Sequence, residues 1–281
     1  MIIDSHYLIG KSHITCDDYA SNNGGYMVVA DGCSSSKKSE IGARLLSIVF
    51  ENIIENGSDF SDSDLDRCYY EELAHEITTR AFQSLDDLWL NPESLDASLI
   101  GAFIENNRIV RAMIYGDGNI IYKKKNENFI RYVNISFIHE APFYLSYLHQ
   151  KNKRLNYEKF AYSQESEGNI KKIKYGKIGI EEEEFFVKYD FPIYYSFKEG
   201  ELEFLALSSD GISSFYKKGE LGQYIPIDPI RIINELTSFK VINPGFIKRR
   251  MRKATENYAK EDIYLSDDIS MAVMHFMEKE N

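Results

Sequence analysis

Three short apolar runs in this chain end on the same pair of residues. Met27-Val28-Val29-Ala30 leads into Asp31-Gly32, Ile114-Tyr115-Gly116 into Asp117-Gly118, and Leu205 to Ser209 into Asp210-Gly211. A fourth run is reversed, with Asp267 and Asp268 standing just before the apolar stretch from Ile269 to Phe276. An apolar run without polar alternation marks a strand covered on both faces, and glycine stops it abruptly. Four strands that each carry an acid at one end can gather those acids at a single edge of a sheet. Like charges placed there repel unless a cation sits between them. Clustered oxygen donors with no matching set of His or Cys suit hard divalent ions, Mg or Mn, better than Zn. Asp-Gly after a strand is also a common hairpin turn, and Gly116 to Asn119 runs directly into the strand-like Ile120 to Lys123. Taken singly, each pair reads as a turn. Three of them, together with an Asp pair opening a late strand, read as a site.

The candidate acids run from Asp17 to Asp267, so a fold that gathers them must use nearly all 281 residues. With 43% hydrophobic content the chain can bury a large core, and the expectation is one domain over residues 1–281, with the segment 139–200 hard to assign. A net charge of -11 excludes general nucleic-acid binding, which needs a basic surface. No apolar run approaches the roughly 20 residues that span a bilayer, and the N-terminus lacks the basic and apolar regions of a signal peptide. A cytoplasmic protein with no membrane partner is expected. Cys16, Cys33 and Cys68 are an odd set at no zinc-like spacing, which suggests a reducing compartment. Cys33 lies beside the first Asp-Gly, but no base stands next to it in sequence to make it a nucleophile.

Taken in order, Ser5 to Ile9 reads as an opening strand, and His13 with Asp17-Asp18 lies in a loop before the Asn22 to Gly25 turn. Adjacent acids on an extended chain point to opposite sides, so only one of Asp17 and Asp18 would face a metal directly. Ile41, Leu45, Val49 and Ile53, widened by Leu46 and Phe50, predict a helix over Glu40 to Glu55 that stops at Asn56-Gly57. Leu73, Ile77, Ala81, Leu85 and Leu88 predict a second helix ending at Asn91-Pro92. From Ala97 to Ile138 the pattern changes to four strands joined by short turns, an antiparallel meander. Helices in one block and strands in another indicate an α+β layered fold. Within 139–200 the run Glu181 to Glu184 reads as a solvated turn. Pro229 to Phe239 and Phe246 to Lys260 look helical. The second carries Lys248, Arg249, Arg250, Arg252 and Lys253, more simply a solvated face than a docking surface.

Placed in order, the landmarks are His13 with Asp17-Asp18, Asp31-Gly32, Ile41-Gly42-Ala43, Gly116-Asp117-Gly118, Leu207-Ser208-Ser209-Asp210-Gly211 and Asp267-Asp268-Ile269-Ser270. The set resembles the metal-dependent serine/threonine protein phosphatases of the PPM (type 2C) family, in the form of a bacterial single-domain member. The resemblance covers residues 5–138 and 200–277. It implies a central antiparallel β-sandwich flanked by pairs of antiparallel helices, with two Mn2+ or Mg2+ ions at one end and room for a weaker third. By similarity, Asp31 would bridge both ions, the Gly32 carbonyl would ligate one, and Asp210 and Asp267 would hold the other. Asp17 would act through a bound water that Asp18 supports. Asp117, with Asp210, falls where family members hold the third ion. A side chain at position 32 would keep the backbone oxygen from a metal. The implied chemistry is attack on phosphorus by a water activated between the ions, which needs no protein nucleophile.

Three positions depart from the family pattern. His13 stands where many members carry an Arg that grips the phosphate, and a neutral His cannot supply that bidentate contact. Cys33 replaces a His that some eukaryotic members carry beside the leaving oxygen, and Ser214 stands where an acid is frequent. His13 and Cys33 are therefore the candidate substrate contacts, and His13 joins Asp31 and Asp18 as a candidate catalytic residue. The expected substrate is a phosphoserine or phosphothreonine protein, paired with a serine/threonine kinase. The alternatives are a phosphoprotein-binding module of low activity and a phosphatase of small phosphoesters.

Overall fold

The computed structural model describes residues 1–56, 67–219 and 222–277. In chain order the strands and helices are β1 (Ile2–Leu8), β2 (Asp18–Asn23), β3 (Tyr26–Gly32), α1 (Ser39–Glu55), α2 (Arg67–Gln83), β4 (Ala97–Ile104), β5 (Ile109–Tyr115), β6 (Gly118–Lys124) and β7 (Arg131–Phe137). They continue with α3 (Lys151–Gln164), β8 (Lys171–Lys177), β9 (Glu181–Val187), β10 (Ile193–Lys198), β11 (Leu202–Ser208), β12 (Phe215–Lys218) and β13 (Tyr224–Pro226). The last elements are α4 (Pro229–Thr237), α5 (Phe246–Ala259), β14 (Ile263–Leu265) and β15 (Ile269–His275).

Two antiparallel sheets stack face to face. One has the order β1-β15-β11-β6-β7-β8-β9 and the other β10-β5-β4-β3-β2, while β13-β12-β14 form a small third sheet. The alternation of side chains along each central strand explains why the sequence shows no polar alternation. Met27 and Val29 of β3 enter the core between the sheets, and Val28 and Ala30 enter the core beneath α1 and α2. On the opposite sheet Leu205 and Leu207 of β11 face the sandwich, while Phe204 and Ala206 face α4 and α5. The layers are therefore helix, sheet, sheet, helix, as expected. Burying both faces of a strand requires apolar residues at consecutive positions.

Several local expectations change. The meander from β4 to β7 is divided between the sheets, because the chain crosses from β5 in one to β6 in the other at Gly116-Asp117-Gly118. Gly116 (φ +90°) and Gly118 (φ +128°) adopt backbone conformations that other residues rarely enter, which turns a hairpin-like sequence into a sheet-to-sheet crossing. Asp18 is not in a loop but opens β2. Helix α2 ends at Gln83 rather than Asn91, and Leu88 is exposed. In α1 the buried stripe is centred on Leu46, Phe50 and Ile53, with Ile41 at the surface. The Glu181 to Glu184 run is an edge strand, not a turn. Lysines on β8 pair with two of its glutamates, Lys172 Nζ lying 2.8 Å from Glu184 and Lys174 Nζ 2.7 Å from Glu182. Ile212, just after the third Asp-Gly pair, lies in a 3₁₀ turn, Asp210–Ser213, that leads into β12. Asn56 caps α1, whereas Gly57 of the expected stop and the closing polar tail fall outside the described residues.

Candidate metal centre

The antiparallel pairing brings the acids to one end of the sandwich. Asp31 near the end of β3 is in register with Asp18 at the start of β2 and with Ser98 on β4. Asp117 occupies the crossing between the sheets. Strand β11 ends towards the same edge at which its antiparallel neighbour β15 begins, so Asp210 and the pair Asp267-Asp268 come together there. The result is a cleft of about 490 Å³ lined by Asp17, Asp18, Asp31, Asp117, Asp210, Asp267 and Asp268, with Gly32, His13 and Cys33 also in its wall. Every residue singled out from the sequence as a site candidate lines this one cleft.

Serines and asparagines at the strand ends hold the carboxylates in place. Ser209 Oγ donates to Asp18 Oδ2 at 2.6 Å and accepts from Ser270 N at 3.0 Å. The Ser209 carbonyl accepts from Asn119 Nδ2 at 2.9 Å, and Asn134 Nδ2 donates to Asn119 Oδ1 at 2.9 Å. Ser98 Oγ donates to Asp117 and accepts from the Asp117 N–H at 3.1 Å. The Gly32 N–H donates to the Asp17 carbonyl at 3.2 Å, which fixes the spacing of the first two acid-bearing segments.

Asp268 has a different task from its neighbour. It is 2% exposed and accepts from Gly10 N at 2.7 Å through Oδ1 and from Asp17 N at 2.6 Å through Oδ2. It therefore fastens the His13-to-Asp17 loop to the start of β15. His13 lies between the two late acids, Nδ1 3.1 Å from Asp268 Oδ2 and Nε2 3.1 Å from Asp267 Oδ1. Burial opposes a charge on His13, but Asp268, Asp267 and Asp17 outweigh it and raise its pKa. One donor atom from each of His13, Asp17 and Asp268 lies within 4.8 Å of the others.

Among the described residues that line the cleft there is no Lys or Arg. Burial, with repulsion among the acids added, pushes Asp18 and Asp117 up to about 7 and Asp31 well above the usual carboxylate range. Burial comes first in raising Asp17 and Asp210 as well. A set of oxygen donors crowded together with no Lys or Arg among them fits hard divalent ions. Cys33 hydrogen-bonds Ser35 Oγ at 3.1 Å. Burial alone would raise its thiol, but hydrogen bonds from Ser35, Tyr144 and Ser36 reverse this and lower it.

Sequence reasoning missed the supports: Ser98, Ser209, Ser270, and Asp268 as a backbone staple. Their signal was small polar residues at the ends of apolar runs. Glu140 and Tyr144, which complete the cleft wall, lie in the segment without a readable period. His139 (φ +61°) and Glu140 (φ +52°) sit there in consecutive left-handed conformations, which no sequence pattern announced.

A helix–sheet–sheet–helix sandwich with an acid-rich cleft at one end is the layered architecture of metal-dependent phosphatases. The family model for protein phosphatase 2C matches residues 9–227, and the chain belongs to that family, whose phosphatases are metal-dependent. A crystal structure of a bacterial serine phosphatase superposes with a TM-score of 0.57 at 12% identity, covering 100% of both chains. The Staphylococcus aureus serine/threonine phosphatase Stp1 gives a TM-score of 0.54 at 13% identity over 99% of this chain and 96% of that one. The catalytic domain of the serine/threonine protein phosphatase PstP in complex with two manganese ions gives 0.52 at 14% identity, covering 99% and 98%. A search of curated protein sequences found no match. Among the described residues, no helix is long and apolar enough to cross a membrane.

Proposed function

We propose that this chain is a single-domain, metal-dependent protein serine/threonine phosphatase that hydrolyses phosphoserine and phosphothreonine. The observation that carries the reading is the convergence of seven aspartates, spread from position 17 to 268, on one cleft without a lysine or arginine. Asp31, the Gly32 carbonyl, Asp210 and Asp267 would hold two Mn2+ or Mg2+ ions, Asp17 would complete the set, and Asp117 with Asp210 would offer a weaker third position. When bound, such ions lower the pKa of water and neutralise phosphoryl oxygens. Asp18, fixed by Ser209, orients the inner wall. His13, held between Asp267 and Asp268, stands at the rim, where a phosphate group would meet it. Cys33 and Ser35 line the same cleft. The partner is a phosphorylated protein supplied by a serine/threonine kinase, and the expected compartment is the cytoplasm.

Hydrolysis of p-nitrophenyl phosphate and of a phosphothreonine peptide, measured with Mn2+, Mg2+ and EDTA, tests the reading. Metal-dependent turnover is expected, and Asp31→Asn or Asp210→Asn should abolish it while leaving the protein folded. Absence of turnover under every metal would overturn the proposal. One observation favours a second reading, a phosphoprotein-binding module: the rim presents a half-buried His13 engaged with two acids where a free Arg would grip phosphate. A large gain in peptide turnover in His13→Arg would mark the natural chain as tuned away from catalysis. Parallel assays on nucleotides and sugar phosphates separate a protein phosphatase from one acting on small phosphoesters.

A further inference from the structure

A second cavity, of about 420 Å³, opens between α2, the stretch Phe143 to Leu148 and the turn Asp190 to Pro192. It backs onto the acid cleft, since Gly116 lines the cavity and the next residue, Asp117, lines the cleft. Ile114, Phe143, Leu145 and Leu148 give it an apolar wall, and charged side chains line the remainder. Lys171, the first residue of β8, also lines it and is only 4% exposed. Its Nζ donates to the Phe191 carbonyl at 2.8 Å, which uses one of the three N–H bonds of an ammonium. Asp190, the acid beside it, is shared with Lys188, whose Nζ is 3.4 Å away. Burial lowers Lys171 to about 8, so the group still carries its proton at neutral pH. A desolvated ammonium with spare donors is costly unless an anion meets it.

We infer that this cavity binds a small monoanion with an apolar body, its oxyanion on Lys171 and its body against Ile114, Phe143 and Leu148. Arg154 of α3, exposed at the same cavity, adds a second cation. Glu71 and Glu72 of α2 also line it and limit the charge it accepts, because a polyphosphate would meet their repulsion. A carboxylate and a phosphate diester, each a single negative charge at neutral pH, satisfy this chemistry equally. The site does not depend on the phosphatase reading, since it shares no residue with the acid cleft.

The test is calorimetric titration of the metal-free full chain, at fixed ionic strength, with benzoate, hexanoate and methyl phenyl phosphate, and with tripolyphosphate as the polyanion control. Cys68 is exposed and lines the cavity, so its alkylation by iodoacetamide, followed by mass spectrometry, reports occupancy there; Cys33 in the acid cleft is the control. Saturable binding of at least one monoanion is expected, with slower alkylation of Cys68 but not of Cys33. The affinity should fall at least about 10-fold in Lys171→Met, as expected for loss of a charge-assisted hydrogen bond. Benzoate against methyl phenyl phosphate separates the carboxylate source from the phosphodiester source. Leu148→Trp, which fills the cavity but keeps Lys171, should also block binding and serves if Lys171→Met does not fold. No saturable binding by any monoanion, undiminished binding in either variant, or protection of Cys33 instead of Cys68 would overturn the site. Binding of tripolyphosphate tighter than the monoanions would overturn the monoanion assignment.

Discussion

Asp268 shows how much one buried carboxylate can organise. Its two oxygens accept the Gly10 and Asp17 N–H groups, joining the N-terminal loop to the start of β15 across most of the sequence. Leaving a buried donor unsatisfied costs about 1–3 kcal/mol, so Asp268→Ala should lower stability by about 2–4 kcal/mol in urea unfolding. Asp268→Asn keeps one acceptor oxygen and should lose less. Equal losses in the two variants would show that the charge, not the acceptor count, holds the loop. The consequence reaches the site, because Asp17 and His13 both ride on that loop. The pair Asp267-Asp268 was visible in the sequence, but their division of labour was not. Which of two adjacent acids turns inward depends on the N–H groups that the fold brings to it.

At the scale of elements, the contact between α1 and the Pro92–Leu95 turn decides how closely the helix layer sits on its sheet. Gly42 lies in α1, where a Cβ would come within 1.6 Å of the Ser94 carbonyl oxygen. Two effects compete in Gly42→Ala. Helix propensity favours alanine by about 1 kcal/mol, while overpacking a tight contact costs about 1–3 kcal/mol or more. Because the neighbour is backbone and cannot rotate away, the second effect should win. A net destabilisation of about 1–2 kcal/mol is expected, read as a lower urea midpoint at unchanged slope. Stabilisation by the substitution would mean that α1 moves freely on its turn. The same scale shows where periodicity misleads. The glutamates of β9 look like a solvated turn until Lys172 and Lys174 on the neighbouring strand are brought diagonally across from Glu184 and Glu182. A cross-strand partner is separated in sequence by a loop and leaves no trace in a local pattern.

Across the whole molecule, the acid cleft is a standing cost of folding in the absence of cations. Asp18 and Asp117 are raised from 3.8 to about 7 in the folded chain, with burial as the leading cause. A group whose folded pKa lies above its unfolded value contributes stability that is complete below about 4 and is lost as pH rises through about 7. The metal-free protein should therefore melt at a lower temperature at pH 8 than at pH 6. Mn2+ should raise the midpoint more at pH 8, where the carboxylates are ionised. At 100 times the dissociation constant, the gain is about 2.7 kcal/mol. A metal-free midpoint that does not change over this range would contradict the electrostatic account of the cleft. The sequence by itself determined the layered α+β class and the acid set. Consecutive apolar positions report strands buried on both faces, and Asp-Gly pairs at their ends report where carboxylates leave the sheet. Tertiary structure alone decided the sheet crossing at Asp117, the Ser209 and Asp268 supports, the edge strand of glutamates and the cavity around Lys171. Each of these depends on which distant segment supplies the opposing charge, donor or wall, and that is set by packing rather than by any local run of residues.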